Sequence, residues 1–146
     1  MIIIISQMNR IEISRLDDRF LMEAINETGE SFRMDAGTAL GGSQSAMRPM
    51  QVLLASMGGC SAIDVIMILK KQRQELRDIK ITLDGEKEEG KEYSVYKKIH
   101  IHFKLFGNIE KEKAALAVGL SIDKYCSVAK TLEATAAITH SFEIFP

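Results

Sequence analysis

Two cysteines, Cys60 and Cys126, stand far apart in the chain. A thiolate attacks electrophilic oxygen or sulfur, and a pair of thiols cycles between reduced and disulfide forms. No Cys-x-x-Cys pattern places two thiols in one turn, which removes the zinc-knuckle and thioredoxin arrangements. Two readings stay open for the pair. Free cysteine is among the most buried residue types, so both can be small core hydrophobes. Alternatively, their settings tune them: Cys60 follows the pair Gly58-Gly59 in an apolar run, where a sulfur is shielded from water. Cys126 falls where a helix is expected to begin, and backbone N–H groups there lower a thiol's pKa.

Other chemistry-bearing residues are sparser. Asp64 lies four residues after Cys60, on the same helical face, and is assigned a structural role, accepting a hydrogen bond from Ser61 or a backbone group or facing an arginine. His100 and His102 share one strand face with Lys98 and Lys104; adjacent lysines repel a cation, so this face reads as solvated rather than as a metal site. His140 reads as structural, and the eight methionines fit an adaptable core. No Gly-rich phosphate loop, Ser-His-Asp order or zinc signature stands out, and no cofactor or metal is expected.

The elements that must carry these residues follow from periodicity. Ile11 and Ile13 alternate with Glu12 and Ser14, and after a break at Gly29, Phe32 and Met34 alternate with Arg33 and Asp35, as antiparallel strands of a hairpin or meander do. Gly37, Gly41, Gly42, Ser43 and Ser45 make a loop, and Arg48-Pro49 suits a helix start. From Met50 to about Gln72 the chain is apolar on nearly every side, which predicts a buried central helix of roughly six turns. Gly58 and Gly59 cost this helix about 1 kcal/mol each relative to alanine, a cost tolerated where something approaches the backbone.

Beyond it, Ile79, Ile81 and Leu83 alternate with polar residues, as do Ile99, Ile101, Phe103 and Leu105, predicting a hairpin with one wet face around a charged turn at Gly85 to Glu92. Helices over about Ile109 to Lys124 and from Tyr125 or Cys126 toward Ala137 precede a strand over His140 to Phe145. The fold class is α+β, as one domain over residues 1–146.

With 19 Lys+Arg against 20 Asp+Glu and pI near 6.3, there is no basic excess for a phosphate backbone, so nucleic acid is not an expected partner. Mean hydropathy is -0.01 and no uninterrupted apolar run nears 18 residues, so a soluble protein without a membrane span is expected. The short run Ile2 to Ile5 reads as an edge strand or upstream extension, with Met8 an alternative start, rather than an export signal. The expected compartment is therefore the cytoplasm, where a structural disulfide is disfavoured.

The words Pro49-Met50-Gln51-Val52-Leu53-Leu54 and Gly58-Gly59-Cys60-Ser61-Ala62-Ile63-Asp64-Val65 come before Ser121-Ile122-Asp123-Lys124-Tyr125-Cys126-Ser127-Val128. With the closing Ile138-Thr139-His140-Ser141-Phe142-Glu143, they resemble the OsmC/Ohr family, the osmotically induced protein C and organic hydroperoxide resistance proteins, over nearly the whole chain. The likeness is greatest to the YhfA-like branch. It implies an OsmC-like fold, antiparallel sheets around a long buried helix in an intertwined homodimer, and thiol-dependent reduction of organic hydroperoxides. Cys60 would be the peroxidatic cysteine and Cys126 the resolving one, forming a Cys60–Cys126 disulfide that an external dithiol reductant reopens.

Apolar surroundings from Leu53, Leu54, Met57 and Ile63 would suit an alkyl or lipid hydroperoxide. In the hydroperoxide-resistance branch a glutamate follows the proline opening the central helix and orients an arginine toward the thiolate; here Met50 takes that place. Arg19, Arg33 and Arg48 are the candidates for the arginine, with Arg48 nearest the helix start. The alternative is a non-catalytic protein of the same fold that binds an apolar small molecule, or a redox sensor that passes oxidation to a partner.

Overall fold

The computed structural model describes residues 8–146; the Ile2 to Ile5 run lies outside them. The chain forms two compact units, one ending at Leu53 and the other running from Leu54 to Pro146.

In the first unit, β1 (Ile11–Arg15), β2 (Met22–Asn26) and β3 (Ser31–Met34) are antiparallel in the order β1-β2-β3, the meander of the two arrangements that the alternation allowed. Ala24 is buried while Ile11, Ile13 and Phe32 are exposed. The glycine-rich loop that follows is organised by Asp35, almost fully buried, whose carboxylate accepts the Ser45 amide at 3.0 Å, the Ser43 hydroxyl at 2.9 Å and the Ala36 amide at 2.8 Å. These bonds, the Ser45 amide foremost, hold its carboxyl below the ordinary carboxylate range despite desolvation. Gly42 has no space for a side chain, since a Cβ there would lie 2.0 Å from the Ala36 carbonyl oxygen.

The long helix α1 (Pro49–Lys71) starts on the proline as expected. Gln51 reaches back with its Oε1 to accept the Arg48 amide at 3.0 Å, the return half of a capping box.

In the second unit, β4 (Glu75–Lys87) and β5 (Tyr96–Asn108) form the expected hairpin, and β6 (Ala137–Phe145) lies parallel to β5 in a sheet of order β4-β5-β6. A parallel neighbour needs a crossover. It is supplied by α2 (Lys111–Leu120), a π-helical turn over Ser121–Tyr125 and the short α3 (Ser127–Leu132), so the third helix is much shorter than the sequence suggested and β6 begins earlier. Ile99, Ile101, Phe103 and Leu105 form the dry face of β5 and are essentially inaccessible, together with Val65, Leu69, Ala114, Ala117 and Val118. Gly58 explains its own cost: a Cβ there would lie 2.7 Å from Leu83 Cδ1, so α1 approaches β4 closely at this point. Gly59 meets nothing within 4 Å among the described residues.

One expectation needs correction. Within one chain α1 buries only the stripe Met57, Gly58, Ser61, Val65 and Leu69; Ile63, Ile66 and Met67 are exposed, because a single chain's sheet covers one side of a helix that is apolar on nearly all. The helix is also long and apolar enough to cross a membrane, its best 18-residue window having mean hydropathy 2.1 with 28% of that window buried. The interruptions by serines, glycines and Asp64 do not lower the average enough to exclude it.

The wet face of β5 differs from a freely solvated one. The half-buried His100 and His102 are fixed by β6, running Thr139 Oγ1, His100, Ser141 Oγ, His102 and Glu143 in one chain of hydrogen bonds of 2.6, 2.8, 2.7 and 3.0 Å. The parallel register that sets Thr139 beside His100 and Ser141 beside His102 produces it.

Candidate functional site

Both cysteines are reduced thiols, and they meet. Cys60 Sγ, Cys126 Sγ and a carboxylate oxygen of Asp64 all lie within 4.8 Å of one another, with Cys60 and Asp64 half-buried and Cys126 fully buried. Cys60 and Asp64 are one helical turn apart on α1, which stacks their side chains on one face. Cys126 arrives from the crossover, and the π turn explains how. In an α-helix, residues five apart are turned by about 140° from each other. Here the Cys126 amide donates to the Ser121 carbonyl at 2.7 Å, an i to i−5 bond that widens the turn and lets Ser121 and Cys126 serve the same cluster.

Cys126 then caps α3. Its sulfur accepts the Ala129 amide at 3.4 Å, and its thiol donates to the Met57 carbonyl at 3.8 Å. The sequence predicts a helix N-terminus that lowers this thiol's pKa; the helix start is where it was placed, but burial outweighs the amide bonds and the nearby Cys60 adds to it, pushing Cys126 from 9.0 up to about 11. Cys126 in the reduced protein is therefore a protonated thiol at neutral pH.

A second layer holds Asp64. Ser121 Oγ lies 2.7 Å from Ser61 Oγ, and its hydroxyl donates to Asp64 Oδ2 at 3.0 Å. Both serines are fully buried. One hydroxyl carries one proton, so satisfying both contacts requires Ser61 to donate to Ser121 and Ser121 to donate to the carboxylate. Asp64 thus takes a side-chain bond from Ser121, a residue outside the expected set of Ser61, a backbone group or an arginine. Ser121 was missed as a site residue because only the fold brings the two serines together.

Beside the cluster, a groove of about 460 Å³ is lined by Asp64, Met67, Ile68, Lys71, Leu120 and Tyr125, together with Gln72. These α1 positions continue the Cys60 and Asp64 face by helical spacing. Leu53, Leu54, Met57 and Ile63 do not line this groove; Ile63 is 61% exposed, and Met57 touches the cluster through its backbone carbonyl.

The candidate arginines all belong to the first unit. Arg19 donates from Nε and Nη2 to the Gly41 carbonyl, Arg33 pairs with Glu23 at 3.7 Å, and Arg48 Cδ lies 3.4 Å from where a Cβ on Gly37 would sit.

The OsmC-like protein family model matches residues 41–141, a span that contains both cysteine words and the crossover between β5 and β6. The chain belongs to the OsmC-like family. Among its OsmC-like relatives, protein YhfA from Escherichia coli K12 is 41% identical over 118 residues, covering 80% of this chain and 84% of that protein. A hypothetical protein from Aquifex aeolicus VF5 is 30% identical with a TM-score of 0.78, over 96% of this chain and 99% of that one. The organic hydroperoxide resistance protein OsmC from Legionella pneumophila aligns over 94% of this chain and 98% of its own with a TM-score of 0.72. At 16% identity it shares the OsmC-like fold, two three-stranded sheets and a long helix.

Proposed function

We propose that the chain is a cysteine-based thiol peroxidase acting on organic hydroperoxides, with Cys60 peroxidatic and Cys126 resolving. The supporting observation is the approach of the two sulfurs to within 4.8 Å, one half-buried and one fully buried. The Cys60 thiolate attacks the distal peroxide oxygen, the O–O bond breaks, and the alkoxide leaves as an alcohol after taking a proton. The oxygen stays on Cys60 as sulfenic acid. Cys126, held as a thiol, is consumed second: its sulfur displaces the sulfenic oxygen as water and the S–S bond closes. An external dithiol then reduces the disulfide by exchange.

The groove beside Asp64 offers Met67, Ile68 and Leu120 to the organic part of the peroxide, which favours an alkyl or lipid hydroperoxide over hydrogen peroxide. Arg48 is our candidate for stabilising the thiolate. A homodimer supplies the cover that the exposed Ile63, Ile66 and Met67 lack, and α1 serves as an interface helix rather than a membrane span. Asp64 at its centre would be costly in lipid. We place the protein in the cytoplasm, without nucleic-acid partners.

Steady-state turnover of cumene hydroperoxide with a dithiol reductant tests the reading. Cys60→Ser abolishes turnover, and Cys126→Ser leaves a sulfenic acid on Cys60 that dimedone traps. Turnover unchanged in Cys60→Ser refutes the assignment. The groove also favours a second reading, a carrier of an apolar small molecule, under which Cys60→Ser retains ligand affinity and cellular function.

A further inference from the structure

Cys60, Asp64 and Cys126 also make a ligand set. We propose that the reduced protein binds one soft divalent cation, zinc being the best match, through the two thiolates and the Asp64 carboxylate, with water in a fourth position on the half-buried side. The proposal shares its residues with the peroxidase reading but requires no turnover.

Donor chemistry carries the first part. Two sulfurs and one carboxylate oxygen select zinc over magnesium or calcium, which take all-oxygen shells. Three protein ligands with an open position are also a recurring zinc arrangement. Tetrahedral zinc with bonds of about 2.3 Å to sulfur and 2.0 to 2.2 Å to oxygen sets its ligand atoms about 3.5 to 3.8 Å apart. The three ligand atoms here all lie within 4.8 Å, so the site is at most about 1.3 Å wider than the metal requires. A disulfide at about 2.05 Å demands a larger movement from the same upper limit.

The second part is the support behind the ligands. A ligating carboxylate is normally held by an outer hydrogen bond, and Asp64 Oδ2 already accepts one from the buried Ser121, itself anchored on Ser61. Cys126 Sγ accepts the Ala129 amide, a bond that suits a thiolate. Binding releases two thiol protons to solvent, and the thiolate and carboxylate charges leave the loaded site at a net −1. The sulfurs are then unavailable to each other, so a bound cation and the Cys60–Cys126 disulfide exclude one another. Metal occupancy would hold the pair reduced until the cation is withdrawn. The wide separation of the cysteines in sequence hides this site from any spacing rule.

The test is a cobalt(II) titration of the fully reduced full-length protein without peroxide, followed by competition with zinc. One equivalent binds, the spectrum carries thiolate-to-cobalt charge transfer, and zinc displaces the cobalt stoichiometrically. The charge-transfer band weakens in Cys60→Ser, and Asp64→Asn lowers zinc affinity at least about tenfold, measured against a chromogenic chelator. Should Cys60→Ser fail to fold, protection of the half-buried wild-type Cys60 thiol from iodoacetamide by one equivalent of zinc reports the same ligation. Cobalt binding without the charge-transfer band, as from His100 and His102, overturns the proposal, as does full affinity in Asp64→Asn. Because no peroxide is present, peroxidase turnover can fail while this site stands, or succeed while it falls.

Discussion

Removal of the Ser121 hydroxyl is the sharpest structural perturbation of the cluster. Ser121 accepts from Ser61 at 2.7 Å and donates to Asp64 at 3.0 Å, and both serines are fully buried. In Ser121→Ala, Asp64 loses a charge-assisted bond. Because that carboxylate is half-buried, the lower end of the usual range applies, about 1.5 kcal/mol. The Ser61 hydroxyl is left in a dry pocket with its side-chain partner gone, a further cost of about 1 kcal/mol. The total is about 2.5 kcal/mol, whereas Ser61→Ala loses only the neutral bond, about 1 kcal/mol, and leaves Ser121 on Asp64. With a urea m-value of about 2 kcal/mol/M, the midpoints fall by roughly 1.2 M and 0.5 M. Equilibrium urea unfolding at one fixed protein concentration reads both. The double variant should fall little below Ser121→Ala alone, since the shared bond is lost only once. A Ser121→Ala midpoint within about 0.2 M of wild type, or a larger loss in Ser61→Ala, would refute the ordered donor chain.

Further outcomes follow from the same geometry. Cys126 is raised from 9.0 to about 11 in the folded protein, so below pH 9 both states hold the proton and its contribution to stability is complete. As pH rises toward 11 the unfolded chain ionises first and stability falls, by on the order of 2 kcal/mol; this alkaline loss should shrink in Cys126→Ala relative to wild type in pH-dependent unfolding. Gly107 has φ +146° and a Cβ there would lie 1.9 Å from the Glu75 carbonyl oxygen, so Gly107→Ala should cost at least about 2 kcal/mol and lower Tm measurably. Gly59→Ala, with open space around its Cβ, should instead raise single-chain stability by up to about 1 kcal/mol; a loss that appears only at high protein concentration would place a second chain against that position.

Strand and helix periodicity located most elements, because alternation at β1, β3, β4 and β5 and the apolar run of α1 are local properties of the chain. What escaped it was non-local. The π turn depends on one i to i−5 bond from Cys126 to Ser121, which no propensity announces. The single buried stripe of α1 reflects what one chain has available to cover it, not the helix's own composition. The cysteine words identified Cys60 and Cys126 as candidates, and the fold brought their sulfurs together. The environment of Cys126 reversed the expected direction of its pKa, because its helix-capping position was readable whereas its complete burial was not. Likewise, Lys98 and Lys104 marked the histidine face as polar, but the fixing of His100 and His102 requires β6 as a parallel neighbour.

The central claim is that Cys60 and Cys126 act as one redox pair, and the most direct measurement is thiol count with intact mass after one equivalent of cumene hydroperoxide is added to reduced, metal-free protein. Rapid loss of both thiols with a mass decrease of about 2 Da in wild type, and an oxygen adduct in Cys126→Ser but none in Cys60→Ser, is the predicted result. Wild-type protein that keeps both thiols while the peroxide persists would contradict it and leave the groove beside Asp64 as the functional feature of the fold.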